Sequence, residues 1–275
     1  MERHKHVYPA VNTKWYVCGC LLIISIMVVV SGFISKERSD GFLLNIEPSA
    51  SPVPLNEEFD ETPATMEFDV PSFQWYALQL GAFENEESAL RLAENYQKRG
   101  AAGFLWHDGR YRVLAAVYPV REEAQQVREQ LRDQHTIDSY LYTIDFPAIK
   151  LRVSGMQGQL EILQAAFMHA HDLAMQLQNA SVSIDRNEVS AEEVREQITA
   201  IDTQIRIVSL RLRQRYINQI PMVVRELLKC FEAYSDFAAQ ISEVESSVLL
   251  GTKLKHQTLS VLWGLQNVYQ ALYHT

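Results

Sequence analysis

The chain has 275 residues, 47% of them hydrophobic, and a formal net charge of −9. That length accommodates about two domains, and the acidity argues against nucleic acid as the main partner. Of three cysteines, Cys18 and Cys20 fall in an apolar stretch and only Cys230 lies downstream, so no disulfide framework can form there.

Residues 1–14 read as a short tail. Trp15 to Ile34 follows, twenty residues without a charge, which suits a membrane-spanning helix of about 20 residues at about 1.5 Å each. Trp15 and Tyr16 sit at one end, as interfacial aromatics do. The apolar run exceeds a signal-peptide core and lacks a clean small-x-small cleavage site, so an uncleaved anchor in the lipid bilayer is expected. Arg3, Lys5 and Lys14 before the span, against Lys36 and Arg38 after it, give a slight bias toward an N-terminus inside the cell.

Residues 35–73 read as a linker. Glu37, Asp40, Glu47, Glu57, Glu58, Asp60, Glu61, Glu67 and Asp69 outweigh Lys36 and Arg38 there, and Pro48, Pro52, Pro54, Pro63 and Pro71 interrupt it. A flexible chain of that length spans roughly 35 Å.

Residues 74–145 carry the densest pattern. Trp75 to Phe83 alternates as a strand, with Tyr76, Leu78 and Leu80 facing a core and Ala77, Gln79 and Gly81 facing away. Asn85 is placed to cap a helix whose first turn holds Glu86 and Glu87 and whose end is marked by Gly100. Phe104 to Trp106 and Tyr111 to Val117 flank Asp108-Gly109, a hairpin signal. A second helix follows Pro119, with Ala124, Val127 and Leu131 inward, and Ile137 to Ile144 supplies a last strand. The order is βαββαβ.

These residues resemble a family. Leu78-Gln79-Leu80-Gly81-Ala82-Phe83, Gly109-x-Tyr111-Arg112-Val113 and Arg121-Glu122-Glu123-Ala124 are similar to the motifs of the SPOR domain, the sporulation-related repeat. Where family members often carry Gly-Pro-Phe after the third strand, this chain reads Ala116-Val117-Tyr118, with Pro119 next. The resemblance implies binding of peptidoglycan glycan strands stripped of their peptides, at division septa, with the domain outside the membrane. It leaves division and sporulation both open.

A physical case stands beside the resemblance. Two helices can cover one face of a four-stranded sheet, so the other face is expected to be open. Candidate glycan-binding residues are Gln79, whose amide both donates and accepts, Gly81, which lets a ring approach closely, Arg112, Leu114, and Trp75 and Trp106 as stacking platforms.

Residues 150–275 are different in kind. Leu160, Leu163, Phe167, Ala170, Ala174 and Leu177 step by three and four, as do Val194, Ile198, Ile201, Ile205, Val208 and Leu212. Val224, Leu227, Phe231, Tyr234, Ala238 and Ile241 repeat the spacing, and Val261, Leu265, Val268 and Leu272 close the set. These heptad-like seams predict an all-α bundle of four antiparallel helices. Asn179 to Val189 reads as a polar connection, Ser190-x-x-Glu193 as a capping box, Pro221 as a kink or a first turn, and Gly251 as a weaker break.

The bundle (helices within 156–275) is a candidate for protein–protein contact or self-association, and a basic cluster at Arg206, Arg211, Arg213, Arg215 and Arg225 is a candidate for anionic lipid or wall polymer. No catalytic or metal-binding motif is present: His169-x-His171 splays its imidazoles on a helix, and no H-E-x-x-H or G-x-S-x-G occurs. The expected fold class is α+β, with an N-terminal transmembrane helix, a disordered linker, a βαββαβ domain and a helical bundle. The expected function is non-catalytic and cofactor-free peptidoglycan binding from the cell membrane. The alternative is a membrane-tethered scaffold acting through the bundle.

Overall fold

A computed structural model describes residues 62–273 except Pro71 and Glu245. The tail at 1–14, the span at Trp15–Ile34 and most of the 35–73 linker lie outside the described residues. No described helix is long and apolar enough to cross a membrane.

Six strands and six helices are described. In chain order they are β1 (Pro63–Val70), β2 (Phe73–Phe83), α1 (Glu86–Gln97), β3 (Phe104–His107), β4 (Tyr111–Tyr118), α2 (Arg121–His135), β5 (Tyr140–Phe146), β6 (Ile149–Met156), α3 (Gln157–Asp185), α4 (Ala191–Arg215), α5 (Met222–Ile241) and α6 (Ser247–Tyr273). A four-stranded sheet has the order β3-β4-β2-β5, and β1 pairs with β6 alone.

Local chemistry fixes several ends. The Asn85 side chain accepts from the Ser88 amide at 3.1 Å and starts α1. Gly100, at φ +93, turns the chain out of it. At α4, the Ser190 hydroxyl accepts from the Glu193 amide while the Glu193 carboxylate accepts from the Ser190 amide, a reciprocal cap. Gly109, at φ 98, makes the β3–β4 turn. Pro221 precedes the first residue of α5, so it separates two helices rather than kinking one.

Four differences from the sequence reading matter. First, residues 63–70 are a strand, not linker. Ala64, Met66, Phe68 and Val70 alternate with Thr65, Glu67 and Asp69, a period-two pattern that the surrounding prolines and acids disguise. Second, Ile149, Leu151 and Val153 alternate in the same way in β6, so the bundle begins at Gln157. Third, α3 runs through Asn179 to Asp185, and the connection to α4 is only residues 186–190. Fourth, Gly251 lies inside α6, where a Cβ would come within 2.8 Å of the Asp185 carboxylate. Glycine there allows α3 and α6 to approach closely.

β1–β6 and β2–β5 form one antiparallel ribbon. Val70 pairs with Ile149, and Phe73 pairs with Phe146. Both pairs belong to one register, so the alignment of β2 with β5 continues into β1 and β6 without a slip. The ribbon ends against α3.

Helices α1 and α2 cover one face of the four-stranded sheet, and α6 crosses the other. Leu78, Ala115, Ala124, Leu131 and Ile137 form the core beneath α2, and Val113, Ala89 and Ala93 the core beneath α1. On the other side Trp75, Ala77, Trp106, Leu114, Val117, Ile144 and Phe146 merge with the bundle core. The expectation of an open face is therefore incorrect. The sheet is the middle of three layers, because its second face is itself apolar and the bundle supplies a matching surface.

Polar contacts fasten the same seam. The Lys255 ammonium is buried, donates to the Gly100 carbonyl at 3.2 Å and pairs with Asp185 at 2.7 Å. The neighbouring His256 Nδ1 lies 3.0 Å from the Ala102 carbonyl. Removing one partner of a buried pair strands the other charge. Asp185→Ala is expected to cost about 3 kcal/mol in denaturant unfolding, and Asp185→Ala with Lys255→Met to recover most of that loss.

His171 packs against Phe73, with ring centroids 4.2 Å apart, and burial lowers its imidazole to about 4. Unfolding frees that ring to bind a proton, so its contribution is full above about pH 6.5 and is lost as pH falls toward 4. Between pH 7.5 and 4.5, the wild type is expected to lose about 2 kcal/mol more than His171→Phe in chemical denaturation.

Candidate functional site

The six residues expected to bind glycan separate into three groups. Trp75, Trp106 and Leu114 do face away from α1 and α2, but the bundle covers them. Trp75 and Trp106 are each 3% exposed and Leu114 is fully buried. Trp106 stands edge-on to Trp263 of α6 at 4.9 Å between ring centroids, and Phe104 meets His256 at 5.1 Å. Trp75 borders a cleft of about 440 Å³ between the ribbon and α3, shared with Phe68, Phe73, Phe167 and Met168. These aromatics are core residues whose flat faces are already in contact, so they are not free stacking platforms.

Gly81 points the other way. Ala77 pairs with Val117, Gln79 with Leu114 and Gly81 with Val113, so the register shifts twice within five residues of β2. An extra residue on one strand inverts the alternation beyond it. A Cβ on Gly81 would accordingly come within 3.0 Å of Leu92 on α1, and Phe83 packs with Ala89 and Ala93. Strict parity from Tyr76 placed Gly81 on the same face as Gln79, and the bulge corrects that placement.

Gln79 and Arg112 remain at the uncovered end of the bundle-side face, both half-buried. Arg112 Nη1 donates to Gln79 Oε1 at 2.8 Å, and Arg112 Nε lies 2.9 Å from both oxygens of Asp108. The Tyr142 hydroxyl donates to Asp108 Oδ2 at 2.8 Å, and the Arg112 guanidinium lies 4.7 Å from the centre of the Tyr142 ring. Tyr140, directly opposite Gln79 on β5, is 66% exposed.

The electrostatics follow from this geometry. Burial alone would raise the Asp108 carboxyl, but the bonds from Arg112 and Tyr142 outweigh it and hold the group below its usual range. Burial, reinforced by the bond to Asp108, pushes the Tyr142 phenol up to about 12. At neutral pH the corner therefore presents a carboxylate, a guanidinium, a neutral phenol and an amide, locked in one arrangement. The Gln79 NH₂ has no partner among the described residues and stays available as a donor.

Sequence reasoning missed Asp108, Tyr140 and Tyr142. Asp108 read only as a turn residue. The two tyrosines lie on β5, and their spacing of two did signal a shared face. Their position beside Gln79 needed the β2–β5 register, which only the fold supplies.

Catalytic groupings are absent from this corner. Among the described residues no group of three His, Cys, Asp or Glu side chains could hold a metal ion. His169 and His171 lie two apart on α3, and His171 is packed among Phe73, Phe167 and Tyr269.

No curated protein and no solved structure matches the chain. One segment of it does match a known family: residues 74–143 fit the SPOR domain model, so the sheet of β2 to β5 with α1 and α2 is a SPOR domain.

Proposed function

We propose that this protein is a membrane-anchored, non-catalytic peptidoglycan-binding protein that recognises denuded glycan at the septum. A SPOR domain implies peptidoglycan binding and an association with septa. The observation that carries the reading on this chain is the Gln79–Arg112–Asp108–Tyr142 corner. A glycan presents vicinal hydroxyls and flat apolar ring faces. Asp108 accepts from hydroxyls, Arg112 and the Gln79 amide donate to them, and exposed Tyr140 offers a ring face.

The rest of the face is unavailable to a sugar. Lifting α6 would return Trp75, Trp106, Leu114, Ile144 and Phe146 to water, at a cost of about 10 kcal/mol. Glycan contact is therefore assigned to the corner alone. In this reading Trp15–Ile34 anchors the chain and the domain lies outside the cell membrane, where the substrate of a SPOR domain is, with the N-terminus in the cytoplasm; the excess of Arg3, Lys5 and Lys14 over Lys36 and Arg38 supports that orientation.

The sealed face also favours a second reading. With the middle of its sheet committed to the bundle, the SPOR domain would be one layer of a tethered scaffold, and the bundle would bind partners. Sacculus pelleting separates the two. The detergent-solubilised chain is expected to pellet with amidase-treated sacculi more than with untreated ones. Arg112→Ala is expected to weaken that binding about tenfold, the consequence of losing a hydrogen bond from a charged group, and Gln79→Ala about fivefold, the consequence of losing a neutral one. Unchanged pelleting by both variants, with melting temperatures preserved, removes the corner from the site. Wild-type pelleting that ignores amidase treatment supports the scaffold.

A further inference from the structure

We propose that the end of the bundle formed by the α4–α5 turn rests on an anionic lipid bilayer. The inference builds on the reading of Trp15–Ile34 as a membrane anchor and assigns the surface that lies against that membrane. Ile217, Ile220 and Met222 in and beside this turn are 76%, 38% and 52% exposed, and Met156 at the start of α3 is 42% exposed. Scattered apolar side chains on a surface are ordinary. Four large ones gathered at one end of a bundle stand apart from that background.

Hydrogen bonds place the start of α3 at the same end as the α4–α5 turn. Gln159 Nε2 donates to the Arg215 carbonyl at 2.9 Å, and the Tyr216 hydroxyl donates to the Gln159 carbonyl at 3.0 Å. The start of α3, and Met156 with it, is thereby tied to the end of α4. The same end receives the chain from the N-terminal side. The Gln157 amide donates to the Thr62 carbonyl at 2.9 Å, and Pro63 pairs with Met156. Thr62, the first described residue after Trp15–Ile34 in sequence, thus lies at the same end as these apolar side chains.

Charge agrees. Arg213 pairs with Glu232 and Lys229 with Glu226, while Arg211 and Arg225 have no acidic partner among the described residues. Exposed apolar side chains with unpaired arginines around them suit the headgroup layer of an anionic membrane, where the apolar groups insert and the cations meet phosphate. Docking here also sets direction. Gln79 lies sixteen positions beyond Pro63 along the ribbon, a rise of about 50 Å at the usual strand spacing, so the polar corner is held away from the bilayer. Glu57, Glu58, Asp60 and Glu61 precede the same point in sequence, and they are the competing occupant of an arginine-lined surface.

The test uses the full chain with Cys18→Ser, Cys20→Ser and Asn218→Cys, labelled at position 218 with an environment-sensitive fluorophore. Cys230 is buried and stays unlabelled. The protein is reconstituted in vesicles of phosphatidylethanolamine with phosphatidylglycerol, and separately in phosphatidylcholine. The proposal expects blue-shifted emission and at least threefold greater quenching by doxyl lipids in the anionic vesicles. Adding Arg211→Glu and Arg225→Glu is expected to abolish the difference. Equal emission in the two lipids overturns the proposal. So does a blue shift that survives in phosphatidylcholine yet disappears with Glu57, Glu58, Asp60 and Glu61 changed to glutamine, which assigns the surface to the chain's own acidic segment. Carbonate extraction tests the anchor by itself. Release of the wild type from the pellet refutes the anchor, and the fluorescence of protein mixed with preformed anionic vesicles still reads the docking.

Discussion

Trp263 on α6 meets Trp106 on β3 edge-on, in the middle of the seam that makes the sheet and the bundle one core. Each large side chain buried there contributes about 1.5–3 kcal/mol, and the seam draws on residues from β2, β3, β4 and β5 together. Lys255, Asp185 and His256 add polar fastening at one end, where α3, α6 and the α1–β3 connection converge. A two-layer domain with a free face has become a three-layer body. Every functional statement about the SPOR domain follows from that change, because it decides which residues of the face meet solvent.

The ribbon is the second constraint. β1 and β6 carry the register of β2 and β5 past the edge of the sheet and down to the start of the bundle. A single flexible strand between the domains would let them drift. Two paired strands, packed against α3, restrict rotation between the ribbon and the sheet and keep α6 over the sheet. Ribbon and seam therefore support each other, and loosening one weakens the orientation that the other needs.

Much of this was legible in the sequence. The βαββαβ order, the Asn85 cap, the Gly109 turn, the Ser190–Glu193 cap and the four helical seams all rest on local signals, which act within one or two turns of the residues that carry them. The sealed face was not legible, although its composition hinted at it. Trp75, Ala77, Leu114 and Val117 on the bundle side, with Leu78, Val113 and Ala115 on the helix side, make both faces of β2 and β4 apolar, the pattern of a strand buried on two faces. Reading Trp75 and Trp106 as ligand platforms took that second apolar face for a sugar site. Gly81 was misplaced for a different reason. Period-two parity fails across a bulge, and the one local sign of it, a glycine inside a strand, is equally the sign of a close backbone approach. The strand at 63–70 is hidden by its acids and prolines, whose linker-like composition masks the alternation of Ala64, Met66, Phe68 and Val70.

The corner at Gln79 gains its character from what surrounds it. On an isolated sheet, Arg112 would be a flexible side chain over an open surface. Here the covered core ends beside it: Trp106 lies 6.4 Å from Tyr142, ring centre to ring centre, and Tyr142 in turn sits under the Arg112 guanidinium. The bundle, by burying Trp106, stiffens the tyrosine on which the arginine rests. Asp108 then holds that arginine from the β3–β4 turn, and Gln79 accepts from it across the sheet. A preorganised polar group binds with less entropy lost than a mobile one. Covering most of the face thus removes exposed area while fixing the geometry of the polar groups that remain at its end.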